Sequence, residues 1–149
     1  MTDHEPDHAE IDVLGLHHIG YVVPRMGAAL KRCVAEGATV LVEPTEDPIQ
    51  RVTVALLSLD AGVPVELVAP TPGEDGPIAA RLHRGGGFDH LCFIVDDVAG
   101  ALALEEARGS LVVCEPVYAV AFGRTVGFVQ RRSGMVVEYI SADEVAAPA

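Results

Sequence analysis

The chain has 149 residues, half of them apolar, and a formal net charge of −12. This size allows about one domain built around one core. The excess of acidic residues argues against a nucleic-acid partner, because phosphates require a basic surface. No apolar run reaches the roughly 18 residues of a membrane helix, and the N-terminus lacks an apolar targeting segment, so no membrane association is predicted. The three cysteines form no CxxC pair, which indicates free thiols in a reducing cytoplasm.

Turn residues and apolar spacing divide the first half of the chain into five elements. In chain order these are a strand at 14–23, a helix at 26–36, and strands at 39–42, 52–59 and 63–68. Glu43-Pro44 is expected to stop the second strand, so 45–50 is predicted to be a loop.

The second half repeats this order after a linker that contains a short predicted helix at 77–84. The remaining predictions are a strand at 88–95, a helix at 98–107, and strands at 111–114, 124–130 and 135–140. A helix between two strands favours a parallel crossover, whereas three successive strands favour an antiparallel ladder. The sequence therefore predicts an α+β fold of two βαβββ modules, with a concave sheet face left free for a site.

The domain boundaries follow from the same pattern. A solvated acidic tail is predicted at 1–12 and a second, frayed tail at 143–149, on either side of a single domain at 13–142. Its modules are expected at about 13–70 and 86–142, with a linker at 71–85.

An internal repeat supports the two modules. When the sequence is shifted by 72 positions without a gap, 15 of the 52 pairs from residue 15 to 66 are identical. His18 falls on His90, and Glu66 falls on Glu138. Repeated backbone geometry explains matched Gly, Pro and Val residues, but it does not explain why the polar matches are His and Glu.

These four residues are the candidate metal ligands. The histidines lie in the first strand of each module and the glutamates in the last, so a pseudo-two-fold arrangement brings all four together if those strands are neighbours. Two imidazoles and two carboxylates suit Co, Mn, Zn, Ni or Fe(II), and a six-coordinate ion would keep two positions open. The apolar neighbours of both glutamates make an unpaired carboxylate costly there, and a divalent cation would offset that cost.

Each residue also has a simpler interpretation. The glutamates could face solvent, and the histidines could be hydrogen-bonded core residues. His17 is expected on the opposite face of the strand from His18, and therefore to be structural. No GxSxG or comparable nucleophile motif supports a serine or cysteine mechanism.

Four segments resemble the vicinal oxygen chelate (glyoxalase/bleomycin resistance) superfamily, and within it the methylmalonyl-CoA epimerases. They begin at His18 (HIGYVV), Val65 (VELVAP), Pro77 (PIAARL) and Phe88 (FDHLCFIVDD). The resemblance runs from about 14 to 141. It implies paired modules, a deep U-shaped mixed sheet, a metal in its hollow and frequently a homodimer.

Carried over residue by residue, the resemblance places the ligands at His18, Glu66, His90 and Glu138. It departs from the epimerases in three places. They usually have glutamine at the position of Glu66, some place a carboxylate where this chain has Val52-Thr-Val-Ala55, and the segment 118–123 is more apolar than its glycine-rich counterpart. Glutamate at 66 is more similar to a bacterial-type glyoxalase I.

The leading expectation is a metal-dependent epimerase or isomerase that removes the proton next to the carbonyl of an acyl thioester, bound to CoA or to a carrier protein. Glu138 or Glu66 would be the base. Arg81 or Arg84 is a candidate for contact with CoA phosphates. The alternatives are a glyoxalase I-type lyase acting on a glutathione hemithioacetal, a non-enzymatic binding or resistance protein, and an iron dioxygenase.

Overall fold

The fold is α+β, with each module running strand, helix and three strands as predicted. A computed structural model describes residues 10–60, 62–73 and 76–149. The first module contains β1 (Gly15–Val22), α1 (Met26–Ala35), β2 (Thr39–Asp47), β3 (Val52–Ser58) and β4 (Val65–Pro70). The linker contains α2 (Ala79–His83). The second module contains β5 (Gly87–Val95), α3 (Val98–Ala107), β6 (Leu111–Ala119), β7 (Arg124–Gln130) and β8 (Val136–Ser141).

All eight strands form one curled, mixed sheet in the order β2-β3-β4-β1-β5-β8-β7-β6. The first and last strands of each module pair in parallel, β1 with β4 and β5 with β8. The two modules join through the antiparallel pair β1–β5 at the centre. The adjacency that the candidate site requires is therefore present in both modules.

Strands β2 and β6 are longer than predicted. The sequence suggested that each strand ends near its Glu-Pro pair, but β2 continues to Asp47 and β6 to Ala119. Both are edge strands, and the register shifts at the proline, between Val42 and Thr45 in β2 and between Cys114 and Val117 in β6. Proline is tolerated at an edge strand or a bulge because no ladder hydrogen bond is lost there. The predicted loop at 45–50 was therefore wrong at its start.

Helix α3 covers the second module with an apolar face and one buried polar group. Val98, Ala101 and Leu102 pack against Val129 and Val137 of the sheet. Glu105 is 2% exposed.

The carboxylate of Glu105 is fully engaged by hydrogen bonds. It accepts from the Ser110 hydroxyl at 2.6 Å, from the Tyr139 hydroxyl at 2.8 Å and from two nitrogens of Arg131 at 2.9 and 3.1 Å. These bonds tie α3 to β8 and to the turn after β7. At the repeat position in the first module the residue is Cys33, so this network belongs to the second module alone.

Replacing Glu105 with alanine is expected to lower the free energy of unfolding by about 1–3 kcal/mol, because the buried Tyr139 hydroxyl loses its acceptor. Urea unfolding of both proteins measures the difference. Glu106→Ala, at the exposed neighbouring position, is the matched control. Equal stability of the two variants would contradict a structural role for the network.

The predicted domain boundaries stay predictions. Residues 1–9 of the predicted N-terminal tail lie outside the described residues. In the predicted C-terminal tail, the Val145 amide donates to the Gly123 carbonyl at 2.9 Å. Across the described ranges, no helix has the length and apolar character needed to cross a membrane.

Candidate metal centre and cavity

The four predicted ligands come together at the centre of the sheet. His18 lies on β1 and His90 on β5, and Glu66 on β4 and Glu138 on β8. In the parallel pairs Glu66 lies opposite Gly20, and Glu138 lies opposite Cys92, in each case two residues after the histidine. Because side chains two residues apart share a face of a strand, each glutamate reaches the same face as its neighbouring histidine.

The donor atoms are spaced as ligands of one cation would be. His18 Nε2 lies 3.2 Å from His90 Nε2, 2.9 Å from Glu138 Oε1 and 3.5 Å from Glu66 Oε1. His90 Nε2 lies 3.1 Å from Glu138 Oε1 and 3.4 Å from Glu66 Oε1. With metal–ligand bonds of about 2.1 Å, adjacent ligands are about 3.0 Å apart in an octahedron and about 3.4 Å apart in a tetrahedron. The distances between donor atoms here run from 2.9 to 3.5 Å, so they are compatible with either geometry.

Burial makes this cluster costly without a partner of opposite charge. The four residues are at most 5% exposed. Glu138 Oε1 receives no well-aligned hydrogen bond from any described residue, although both Nε2 atoms are close to it. Buried polar atoms are normally satisfied, so this orphaned oxygen marks a place where a cation fits.

A second group of donor atoms lies beside the first but is a poorer candidate. It comprises His17, His18 and Cys92. Burial raises the pKa of the Cys92 thiol well above its ordinary value, and the nearby carboxylates of Glu138 and Glu66 raise it further. Metal binding requires thiolate, and the raised pKa makes this thiol harder to deprotonate than an ordinary cysteine.

Protons compete with a cation for the centre. Burial lowers the pKa of His18, but the carboxylates of Glu66 and Glu138 outweigh it and raise the pKa to about 9. Burial likewise opposes the charged form of His90, while the carboxylates of Asp89, Glu138 and Glu66 close to its ring hold its pKa well above the usual value. Burial favours the neutral form of Glu138, but His18 and His90 hold its pKa well below the usual range. A cation would replace the imidazole protons and balance the same carboxylates.

The metal-free chain is expected to lose stability between about pH 6.5 and 9. The His18 pKa is raised from 6.5 to about 9 in the folded chain. Its contribution is therefore complete below pH 6.5 and is lost as pH rises through 9, by an amount of order 3 kcal/mol. Urea unfolding with a chelator present measures it. The buried Cys92 thiol also has a shifted pKa in the folded chain and is present in the His18→Asn variant. Subtracting the free energy of unfolding of this variant from that of the wild type at each pH therefore removes the contribution of Cys92. A difference that stays constant across this range would contradict the prediction.

His17 lies beside the centre, which corrects the prediction that it faces away. Its Nδ1 is 2.7 Å from His18 Nδ1. The register of β1 against β5 shifts between Leu16 and His18, so the strand is not regular where the prediction assumed that it was. Burial and the neighbouring His18 charge lower the pKa of His17 to about 4.

The other imidazole has an acidic neighbour. The Asp89 carboxylate lies 2.8 Å from His90 Nδ1, and its other oxygen lies 3.8 Å from Arg81 Nε. Arg84 is exposed. The contact of Arg81 or Arg84 with CoA phosphates stays a prediction.

Gly20 provides the space for the His90 ring. It lies directly opposite His90 in the β1–β5 pair, and a Cβ atom at this position would overlap the ring. The repeat equivalent of Gly20 is Cys92, so the need for glycine is specific to the first module.

Gly20→Ala is therefore expected to displace the His90 ring and to weaken zinc or cobalt binding by about tenfold or more, since a ligand that is out of place contributes little. Calorimetric titration measures the affinity. Gly27→Ala is the control, because a Cβ there meets nothing within 4 Å and alanine favours the helix α1. Wild-type affinity in Gly20→Ala would contradict this role.

A cavity of about 470 Å³ opens onto the centre, with Glu66, His90 and Glu138 among its walls. This volume is in the range of small-molecule sites. Most of the remaining lining is apolar and comes from both modules; it includes Val52, Val54, Val68, Ile78, Ala121, Phe122 and Phe128. Val54 lies on the strand where the resemblance implied a carboxylate.

Two phenylalanines hold the imidazole rings. Phe122 stacks on His18 with ring centroids 5.5 Å apart at 27°, and Phe128 meets His90 edge-on at 5.3 Å. Phe122 belongs to the apolar segment 118–123, so that departure from the epimerase pattern places an aromatic wall against one candidate ligand.

Comparison with known proteins places this arrangement in a family. The profile of the glyoxalase/bleomycin resistance protein/dioxygenase superfamily matches residues 17–128. The chain belongs to this superfamily. The resemblance predicted from the sequence is thereby confirmed. A curated relative in the superfamily, the ethylmalonyl-CoA/methylmalonyl-CoA epimerase of Cereibacter sphaeroides, is 30% identical over 128 residues, which are 83% of this chain and 94% of the relative.

Solved structures of the superfamily share the fold. Methylmalonyl-CoA epimerase from Mycobacterium tuberculosis superposes with a TM-score of 0.76 at 25% identity, covering 94% of this chain and 93% of that one. A variant of the Streptomyces coelicolor methylmalonyl-CoA epimerase, in complex with 2-nitronate-propionyl-CoA, gives a TM-score of 0.74 at 22% identity, covering 92% and 100%.

Proposed function

We propose that the protein is a metal-dependent epimerase or isomerase that removes the proton alpha to the carbonyl of an acyl thioester. The observation that carries this proposal is the convergence of four buried donors, His18, Glu66, His90 and Glu138, in a cluster that opens onto one cavity through Glu66, His90 and Glu138. The curated relative acts on ethylmalonyl-CoA and methylmalonyl-CoA by name, which supports a CoA thioester as the substrate. A carrier-protein thioester presents the same reacting group.

The divalent cation that these residues would hold is one of Co, Mn, Zn, Ni or Fe. When bound, it supplies a Lewis acid that stabilises negative charge developing on the substrate carbonyl oxygen.

The base is sought among the carboxylates of the cavity wall. Asp47 is occupied, because it accepts from the Ile49 and Gln50 amides and from the Gln50 side chain. Asp89 is occupied by the His90 ring. Of the carboxylates on the described part of the cavity wall, Glu66 and Glu138 remain.

Glu138 can accept the substrate proton because it is ionised at neutral pH, where its pKa is held below the usual range by His18 and His90; it acts as the base when its contact with the centre loosens. The proton at C2 passes to this carboxylate while the carbonyl oxygen takes up the negative charge. Glu66 is equivalent to Glu138 in the other module, so we assign it to proton exchange on the opposite face of C2. Such a pair would let both configurations of the substrate interconvert.

The apolar cavity has a role in both binding and catalysis. Walls such as Val54 and Phe122 exclude water, which strengthens electrostatic interactions with the developing charge. They also fit the hydrocarbon substituent at C2 of a 2-substituted acyl group.

Solvent deuterium exchange tests the proposal. The cobalt-loaded chain is incubated in heavy water with methylmalonyl-CoA, ethylmalonyl-CoA and other 2-substituted acyl-CoA esters. Deuterium is expected at C2 of at least one ester, to be lost after chelation and to return when metal is added back. A loaded chain that exchanges no C2 proton in any ester of the panel would overturn the proposal.

Glyoxalase I-type isomerisation is the second candidate, because Glu66 occupies the position where epimerases usually have glutamine. The chemistry would use the same ligands on a glutathione hemithioacetal. A spectrophotometric assay with methylglyoxal and glutathione distinguishes the two candidates.

We also infer a cytoplasmic homodimer. Three free cysteines, Cys33, Cys92 and Cys114, are consistent with a reducing compartment. Exposed apolar side chains on the two central strands, Leu16, Tyr21 and Phe88, support self-association. Analytical ultracentrifugation of the wild type and of Phe88→Ser measures the oligomeric state; a monomeric wild-type chain would contradict the dimer.

A further inference from the structure

We propose that His17 and Asp89 are positioning residues that hold the ring protons of His18 and His90 on Nδ1, and that they make the two imidazoles unequal ligands. This inference rests on the proposed metal centre. It concerns the two residues that immediately precede the candidate histidine ligands and that contact Nδ1 of their rings.

Asp89 fixes the orientation of the His90 ring. Its Oδ2 lies 2.8 Å from His90 Nδ1. A carboxylate can only accept, so the proton of this bond belongs to Nδ1 of the ring. The Nε2 lone pair is then free to point to the centre, where Nε2 lies 3.1 Å from Glu138 Oε1.

His17 has the same position relative to His18. The two Nδ1 atoms are 2.7 Å apart, so one ring donates and the other accepts. His18 Nε2 faces the carboxylates of the centre and must be the unprotonated atom if it binds a cation. Its proton is therefore on Nδ1 and is donated to His17, whose own proton is on Nε2. Phe122 packs edge-on against the His17 ring at 5.3 Å and keeps it in place.

Two bulges explain how these side chains reach the ligands. In the β1–β5 pair, the register passes from Leu16–Phe93 to His18–Cys92, which leaves His17 as the extra residue of β1. The register next shifts between Gly20 and Tyr21, where Asp89 is the extra residue of β5. Residues 17 and 89 are equivalent in the repeat. A bulge changes the direction in which a side chain points and is common next to active sites. Here each module has a bulge at the residue before its candidate histidine ligand.

The two positions differ in charge. The bond from His90 to Asp89 is charge-assisted, whereas the bond from His18 to His17 joins two imidazoles. A carboxylate on the distal nitrogen raises the basicity of a metal-binding imidazole. His90 is therefore the stronger donor of the two. Through its 3.8 Å contact with Arg81, Asp89 also links this ligand to helix α2.

Zinc affinity, measured by competition with a chromophoric chelator, tests the proposal. Asp89→Ala is expected to weaken binding by about 10- to 100-fold, and His17→Leu by less. His17→Asn and Asp89→Asn keep an acceptor oxygen near the original atom, so each is expected to recover much of the loss. Asp96→Ala and His83→Leu, at exposed positions, are the controls.

Nitrogen-15 NMR of the zinc-loaded chain adds a readout that a purely structural role would not change. In the wild type, both ligated rings are expected to show a slowly exchanging proton on Nδ1. The His18 proton should exchange rapidly in His17→Leu alone, and the His90 proton in Asp89→Ala alone.

The outcomes separate this inference from the proposed function. A wild type that binds zinc, with variants that bind it equally well and keep both protons, would overturn the positioning roles and leave the metal centre intact. Equal losses in Asp89→Ala and His17→Leu would overturn the inequality. A wild-type chain that binds no zinc, cobalt or manganese would overturn both proposals.

Discussion

Replacement of His90 with alanine is expected to weaken binding of zinc or cobalt by more than about 100-fold, beyond the effect of losing an outer partner of a ligand. The imidazole supplies one of four donors, and its Nε2 lies within 3.4 Å of both carboxylate oxygens and of His18 Nε2. Its removal leaves Glu66 and Glu138 facing each other with one imidazole fewer. Metal analysis of the purified variant and calorimetric titration measure the loss.

His83→Ala is the matched control for this variant, because His83 is exposed on α2. It should bind metal as the wild type does. Circular dichroism of the His90→Ala chain should show intact secondary structure, since the surrounding strands keep their ladder. A folded His90→Ala chain with wild-type metal content would mean that the cluster is not the metal site.

Glu138→Gln is expected to lower the rate of C2 deuterium exchange by about 10²- to 10⁴-fold, the usual contribution of a general base. Glutamine keeps an oxygen donor at the centre but cannot accept the substrate proton. The metal content should therefore fall far less than the rate. Rate and metal content are to be measured on the same preparation, with Glu106→Gln, on the exposed face of α3, as the control.

Glu66→Gln separates the two candidate functions. In the proposed epimerase, Glu66→Gln should still exchange the C2 proton on the face assigned to Glu138, but it should interconvert the two configurations slowly. A glyoxalase I-type enzyme that uses Glu66 as a base should lose activity with its hemithioacetal. Equal exchange rates in Glu138→Gln and in the wild type would remove Glu138 from the proton transfer altogether.

The sequence was sufficient to predict which four side chains the structure brings together; their role as metal ligands stays a prediction. A gapless repeat made His18 equivalent to His90 and Glu66 equivalent to Glu138, and the order of elements in each half placed them on first and last strands. What the sequence left open was the adjacency of those strands, which the parallel pairs β1–β4 and β5–β8 supply.

The surroundings of the donors were not predictable by the same reasoning. Strand periodicity of two assigned His17 to the far face, but a bulge breaks that period at this residue. The contact of Asp89 with His90 was not predicted either, because Asp89 also lies at a bulge. Gly20 lies in the segment HIGYVV, but its role depends on the residue that faces it, His90, which belongs to a strand distant in sequence. Pro44 and Pro116 were predicted to end their strands, but both lie inside edge strands, where proline is tolerated. Which strands lie at the edges depends on the order of the whole sheet and could not be predicted from the local sequence.

The central pair β1–β5 has a consequence for how the molecule holds together. Each module gives one imidazole and one carboxylate, and the linker at 71–85 is the covalent connection between them. A bound cation would therefore cross-link the two modules at the β1–β5 pair. If the chain were cut within that linker, reassembly of the two fragments should depend on metal concentration, which would turn the strength of the joint into a quantity that can be titrated.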